Sequence, residues 1–245
     1  AVTDLDSLLR SPTPFLALAP MQDVTDSAFW NLMHRYGGAD VYWTEYFRVH
    51  ADSRLEKWIL KSIDENPTGR PVVGQFIGND IPSLVRSAKE LQHHPVAAID
   101  LNLGCPAPVV YKKCAGGGLL RDLPQVDRIL GALRDAVAAP VRFTVKTRVG
   151  FDSAEPLAAL LPMLARHEVD LVTVHGRTVA GMYRTPVDYE LIAAAAAAFP
   201  THDQSSLASN PSEAVTRLRC KGCREGGPIN SVGGPARRRS HPRAV

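Results

Sequence analysis

Residues 97–120 read AAIDLNLGCPAPVVYKKCAGGGLL, and this stretch decides the fold. It opens on a short apolar run, 97–103, broken only by Asp100 and Asn102. Such a run suits a strand of a buried parallel sheet. The chain then presents Cys105, turns at Pro106, passes through Gly116-Gly117-Gly118 and enters a segment of helical period over 123–138. A strand that closes on polar residues and leads into a crossover helix is one β/α unit.

Working outward, the same unit recurs. Apolar runs at 15–19, 39–43, 72–77, 141–146 and 171–175 predict further strands, and segments at 26–35, 53–62, 81–91, 155–167 and 188–199 predict the helices between and after them. Asp26 stands before one apolar stripe, and Pro82 and Pro156 fall in first turns, where a missing N–H costs little. Polar residues gather where strands end: Pro20 and Met21, then Glu45, Gln75, Asn102 and Cys105, Lys146 and Arg148, and finally His175 and Arg177. In a barrel all strand C-termini meet on one face, whereas a doubly wound sheet concentrates such residues at one switch point. The expectation is an α/β fold of TIM-type, a (β/α)8 barrel left incomplete with six recognisable units.

Composition bounds this reading. A chain of 245 residues, 45% hydrophobic and 22% charged, has room for one large core. No apolar run reaches the roughly 18 residues needed to span a bilayer, and the opening AVTDLDSLLR lacks the pattern of a signal peptide. A cytoplasmic monomer without a membrane segment is expected. Four cysteines in a chain of this length do not make a disulfide framework. Net charge is +3, but from Thr201 onward eight Lys/Arg face three acids, which leaves the first 200 residues at −2. Overall charge therefore does not mark a nucleic-acid binder, and any RNA affinity of the main body needs a local patch.

After Phe199 the pattern is lost. Residues 201–245 carry no apolar parallel strand and no aromatic residue; one short stretch, 212–218, has helical period, and the Gly, Pro, Ser and Arg content of 220–245 predicts disorder. Cys220-Lys-Gly-Cys223 offers two of the four ligands of a tetrahedral metal site, so no metal is expected. Arg237-Arg238-Arg239 reads as a solvated basic run.

From spacing alone Cys105 is either a thiol presented to a pocket or a small buried hydrophobe. The wider set of motifs bears on that choice. APMQDVTDSAFW (19–30), VVGQFIGND (72–80), DLNLGCP (100–106), GGGLLRD (116–122), VKTRVGF (145–151) and TVHGRT (173–178) together resemble the dihydrouridine synthase family, in the family's order. The resemblance implies an NADPH-dependent flavoenzyme that reduces the C5=C6 bond of uridine in tRNA through FMN. It implies that Pro20 and Met21 lie against the flavin ring, and that Gln75, Lys146 and His175 bond its polar edge. Lys146 would stabilise the anionic reduced ring. Cys105 would be the catalytic acid that protonates uracil C5 while hydride reaches C6; a thiol with an ordinary pKa of about 8.5 is mostly protonated at neutral pH yet able to give its proton up. Asn102 would read the uracil edge, and Arg148 and Arg177 would contact substrate. Glu45 falls on an acidic position of the family, and Cys114 reads as a spare thiol.

The family's Asn-Gly strand end, its Gly-Arg-Gly phosphate loop and its helical tRNA-binding domain find no match here. The expectation is thus a catalytic barrel over 1–200, an atypical tail over 201–245, an absent helical domain, weak flavin binding and poor stability. Two alternatives stand beside the enzyme: a non-catalytic remnant of the family that has lost FMN, and another FMN-barrel oxidoreductase acting on a small molecule.

Overall fold

In the computed structural model the described residues are 4–11 and 13–198, together with the backbone of two short strands, Ser206–Leu207 and Glu213–Arg217. Six parallel strands follow one another: β1 (Ala17–Leu18), β2 (Val41–Arg48), β3 (Val72–Ile77), β4 (Ala98–Leu103), β5 (Arg142–Arg148) and β6 (Leu171–His175). They lie in the sheet in the order of the chain, with no reversal. A doubly wound sheet requires such a reversal, so the arrangement is a curled, incomplete TIM barrel.

Helices alternate with the strands: α1 (Leu5–Arg10), α2 (Ser27–Arg35), α3 (Lys57–Glu65), α4 (Ile81–Leu91), α5 (Pro108–Tyr111), α6 (Leu123–Ala136), α7 (Leu157–Arg166) and α8 (Tyr189–Ala198). Aspartates start five of them: Asp4 and Asp188 accept from the Ser7 and Leu191 N–H groups of α1 and α8. The carboxylates of Asp26, Asp80 and Asp122 each accept from a backbone N–H in the first turn of α2, α4 and α6. Their apolar faces, with Leu84, Ala88, Ile129 and Leu133, cover outward strand residues such as Phe76, Leu101 and Val145. Inward residues at the strand starts, Ala17, Val41, Val73, Ala98 and Leu171, instead pack with Leu5 and Leu8. Helix α1 therefore closes the N-terminal end of the strands, a role its sequence did not announce.

An ionic cluster fastens that closure. Arg142, at the start of β5, holds Asp6 of α1 with Nε and Nη2 at 2.6 and 2.5 Å and reaches Asp170 at 3.2 Å. Asp170 also accepts from Arg134 and from the Phe143 N–H. The Arg142 hydrogen bond, acting against partial desolvation, holds the Asp6 carboxyl below the usual carboxylate range.

Several boundaries differ from expectation for visible reasons. Strand β2 runs on to Arg48 because a register shift lets it keep pairing with β3. Helix α3 begins at Lys57 rather than near 53, because Arg86 of α4 ties down the carbonyls of His50, Ala51 and Ser53. The glycine-rich stretch after Cys105 is α5 followed by a 3-10 turn, Gly116–Arg121, with Gly116 to Leu120 buried. The segment 212–218, read as helical, contains the strand Glu213–Arg217, which pairs antiparallel along all of β6. The reading of 220–245 as disordered lies outside the described residues.

Arg142→Ala is expected to lower the unfolding free energy by about 2 kcal/mol, the scale of hydrogen bonds to charged groups. Arg166→Ala, which removes a surface pair with Asp127, should cost less than about 1 kcal/mol. Urea unfolding of both variants checks the contrast.

Candidate active site

Side chains two apart on a strand share a face, so each inward residue at a strand start predicts the next ones along it. From Val73 the inner face passes to Gln75, from Ala98 to Asp100 and Asn102, from Thr144 to Lys146 and Arg148, and from Leu171 to Thr173 and His175. The inner face thus changes from apolar at the closed end to polar at the C-terminal mouth, where a barrel places its site.

A continuous hydrogen-bonded ladder crosses this mouth. Asp100 is wholly buried; it accepts from Thr144 Oγ1 at 2.5 Å and from Gln75 Nε2 at 2.7 Å. Gln75 Oε1 accepts from Asn102 Nδ2 at 2.8 Å. Asn102 Oδ1 in turn accepts from the N–H groups of Gly104 and Cys105 at 3.0 and 2.9 Å. The end of the ladder fixes the backbone of Cys105, which is half-buried, and the other side of Cys105 is packed by glycine. Gly117 N–H donates to the Cys105 carbonyl, and a Cβ at Gly117 would stand 2.9 Å from that oxygen. Gly116 sits at φ +54, and a Cβ there would stand 3.0 Å from Cys105 Cβ. The glycine run is therefore what lets this segment lie directly on the cysteine.

Burial is the main reason that Asp100's acid is pushed up to about 6, opposed by its bonds from Thr144 and Gln75 and by the charge of Lys146. Lys146, half-buried, stands opposite Asn102 on β5. Glu45, buried within β2, holds the loop after β1: its Oε1 accepts from the Asp23 N–H at 2.5 Å and from Gln22 Nε2 at 3.3 Å. Burial raises its acid above the usual range despite the bond from Asp23. Asp23 itself holds φ 61, an uncommon left-handed conformation that this bond supports.

The predicted residues are brought together unevenly. Gln75, Asn102, Cys105, Lys146 and His175 share the mouth, with Pro20 and Met21 on its rim and Met21 45% exposed. Arg148 is only 2% exposed; its guanidinium bonds the carbonyls of Gly104, Thr178 and Met182, each at 3.0 Å. It ties the Cys105 segment to the loop after β6. Arg177 donates to the Thr185 carbonyl at 2.6 Å and lies 3.2 Å from His175 Nε2. Sequence reasoning missed Asp100 as a ladder member, although it lies within the DLNLGCP motif. It also missed Tyr183, an exposed ring 6.0 Å from His175 with the guanidinium carbons of Arg148 and Arg177 at 5.6 and 5.9 Å. No motif marks Tyr183; only the fold brings it to the site. Among the described residues no group of His, Cys, Asp and Glu could hold a metal ion, and no helix is long and apolar enough to cross a membrane.

Because the folded chain holds the Asp100 proton more tightly than the unfolded chain, stability falls as pH rises from 3.8 to about 6 and then levels. Asp100→Asn should remove that decline, as read from urea midpoints measured across the same window.

Comparison with known proteins agrees with this geometry. A profile described as dihydrouridine synthase (Dus) matches residues 17–202. A tRNA-dihydrouridine(16) synthase of Neisseria meningitidis serogroup A is 32% identical over 183 residues, covering 72% of this chain and 55% of that protein. A tRNA-dihydrouridine synthase B of Pseudomonas putida is 38% identical over 184 residues, covering 73% and 52%, and one of Vibrio vulnificus is 34% identical over 181 residues, covering 73% and 55%. The chain spans about half the length of these curated relatives. With the profile covering most of the chain and the family's motifs assembled at the mouth of the barrel, this chain belongs to the dihydrouridine synthase family.

Proposed function

We propose that this chain carries the site for reducing the C5=C6 bond of uridine in tRNA to 5,6-dihydrouridine, with FMN as cofactor and NADPH as reductant. The observation that carries the proposal is Cys105, presented at the mouth by the Asn102–Gln75–Asp100 ladder and packed from behind by the glycine run. The names of the relatives, which are tRNA-dihydrouridine synthases, support the substrate class.

The donor set suits the ring of a flavin. Lys146 places a cation on the inner face, the Gln75 amide has one N–H beyond its bond to Asp100, and His175 lies one strand further round. These three would bond the polar edge of the ring, while Pro20 and Met21 would cover one face. When bound, FMN would supply hydride chemistry directed at uracil C6. Residues on loops after a seventh and eighth parallel strand would ordinarily hold the phosphate, and no such loops occur among the described residues.

The chain's own part is to orient the base and supply a proton. Cys105 Sγ gives its proton to C5 and is left as a thiolate; Lys146 offsets negative charge nearby. Asn102, whose carbonyl is held by two N–H groups, has a fixed amide with one N–H beyond its bond to Gln75, suited to a uracil carbonyl. Arg177 and exposed Tyr183 stand where an extruded base or its phosphate would pass. Arg148 acts indirectly, by holding together the loops that carry Cys105 and Met182.

A second reading, a family member that no longer reduces uridine, is favoured by one observation. The strand Glu213–Arg217 pairs antiparallel with β6 from Leu171 to His175, along the edge that a seventh parallel strand would use.

Single-turnover reduction of unmodified tRNA separates the readings. Cys105→Ala should slow formation of dihydrouridine by about 10²- to 10⁴-fold while leaving tRNA binding in place. Equal rates for parent and variant, or no product from either, would reject Cys105 as the acid in the first case and the enzyme reading in the second.

A further inference from the structure

Glu45 is a buried carboxylate with no part in the reaction proposed above. On β2, Trp43 stands opposite Val73 and Tyr46 opposite Gln75, so Thr44 and Glu45 together face the single residue Gly74 of β3. Such a bulge re-aims the side chains it carries. Thr44 Oγ1 fastens it by accepting the Gln75 N–H at 3.1 Å, and Glu45 reaches the loop after β1. There one oxygen, Oε1, accepts both the Asp23 N–H at 2.5 Å and Gln22 Nε2 at 3.3 Å. The same loop is clipped from its other side by buried Thr25, whose hydroxyl accepts the Met21 N–H and donates to the Met21 carbonyl, each at 3.1 Å. Residues 21–25 are thus pinned at two points while the Met21 side chain stays exposed.

Of the two pins, only Glu45 comes from another strand. Asp23 holds φ 61, which a residue with a Cβ keeps only where its surroundings enforce it, and the bond to Glu45 supplies that constraint. Gln22 is oriented by the same carboxylate. Its Nε2 faces Glu45 and, at 3.4 Å, Asp23 Oδ1, and its Oε1 is buried without a hydrogen-bond partner among the described residues. A buried acceptor of this kind is satisfied when a donor arrives, as on the edge of a bound ring.

We propose that Glu45 is a positioning residue for the flavin site: its Oε1, by accepting the Asp23 N–H, keeps the loop after β1 in the conformation from which Pro20 and Met21 cover the ring. This rests on the reading of Pro20 and Met21 as the cover of one flavin face. The role belongs to the acceptor oxygen rather than to the charge, because the loop already carries the acids Asp23 and Asp26, beside which a third negative charge is unfavourable.

Two measurements on the full chain test it. Amide hydrogen exchange without flavin, resolved by NMR, reads the loop, and quenching of FMN fluorescence reads the site. Glu45→Ala is expected to speed exchange at the Asp23 amide about tenfold and to weaken FMN binding about five- to tenfold, while amides of β4 and α6 keep the parent's rates. Glu45→Gln retains the acceptor oxygen and should stay within about twofold of the parent in both readouts. Glu45→Asp draws the carboxylate back by one methylene, should behave as Glu45→Ala, and covers the case in which the alanine variant does not fold. Asp23 exchange unchanged in the alanine and aspartate variants overturns the proposal. So does faster exchange with FMN affinity unchanged, or a glutamine variant as weak as the alanine one. A parent chain that quenches no FMN rejects the flavin reading and this role with it, whereas a parent that binds FMN as tightly as Glu45→Ala does rejects this role alone.

Discussion

A single buried carboxylate sets the geometry on which the rest of the site depends. Asp100 lies at full burial on the inner face of β4, where an unpaired charge would be very costly. It is tolerated because Thr144 from β5 and Gln75 from β3 both donate to it. Those bonds fix three neighbouring strands at one level of the barrel and turn the Gln75 amide so that its oxygen faces Asn102. Asn102, donating to that oxygen, in turn points its own oxygen at the turn that carries Cys105. The position of the thiol is thus the last consequence of satisfying one buried charge, and the residual desolvation shows in the raised acid of Asp100 itself.

The same logic explains why one side of the mouth is held by hydrogen bonds while the other stays exposed. Arg148 is consumed by backbone carbonyls and clamps two loops against each other. Tyr183 and Met21, by contrast, keep 68% and 45% of their surface in solvent at the rim. A site of this form has a fixed floor of hydrogen-bonded amides and an apolar, accessible lip, a division suited to capturing a flat base that has left its stack.

Much of this was legible in the sequence because buried parallel strands read as short apolar runs and, in a barrel, end on polar residues that line one mouth. The runs at 72–77, 97–103 and 171–175 mark β3, β4 and β6 almost to the residue, and the polar residues after them converge as a barrel requires. Elements that depend on contacts distant in sequence were not legible. Helix α1 is defined by Leu5 and Leu8 finding the barrel floor and by Asp6 finding Arg142, 136 residues away. The bulge in β2, at Thr44 and Glu45, lies beyond the apolar run 39–43 and no motif marks it, yet it puts Tyr46 on the inner face. Arg148 and Arg177 look alike as strand-end arginines; only their surroundings separate a buried clamp from a rim residue. The strand Glu213–Arg217 shows alternation too short to tell from a helical turn, and it takes its form from the open edge of β6.

The central claim is that the inner face of this incomplete barrel forms the ring-binding part of a flavin site. Quenching of FMN fluorescence on titration with the full chain tests it most directly. The account predicts saturable quenching that weakens at least tenfold in Lys146→Ala, about 1.4 kcal/mol of lost charge interaction. Fluorescence that stays unquenched at every protein concentration, or quenching indifferent to Lys146, would contradict it.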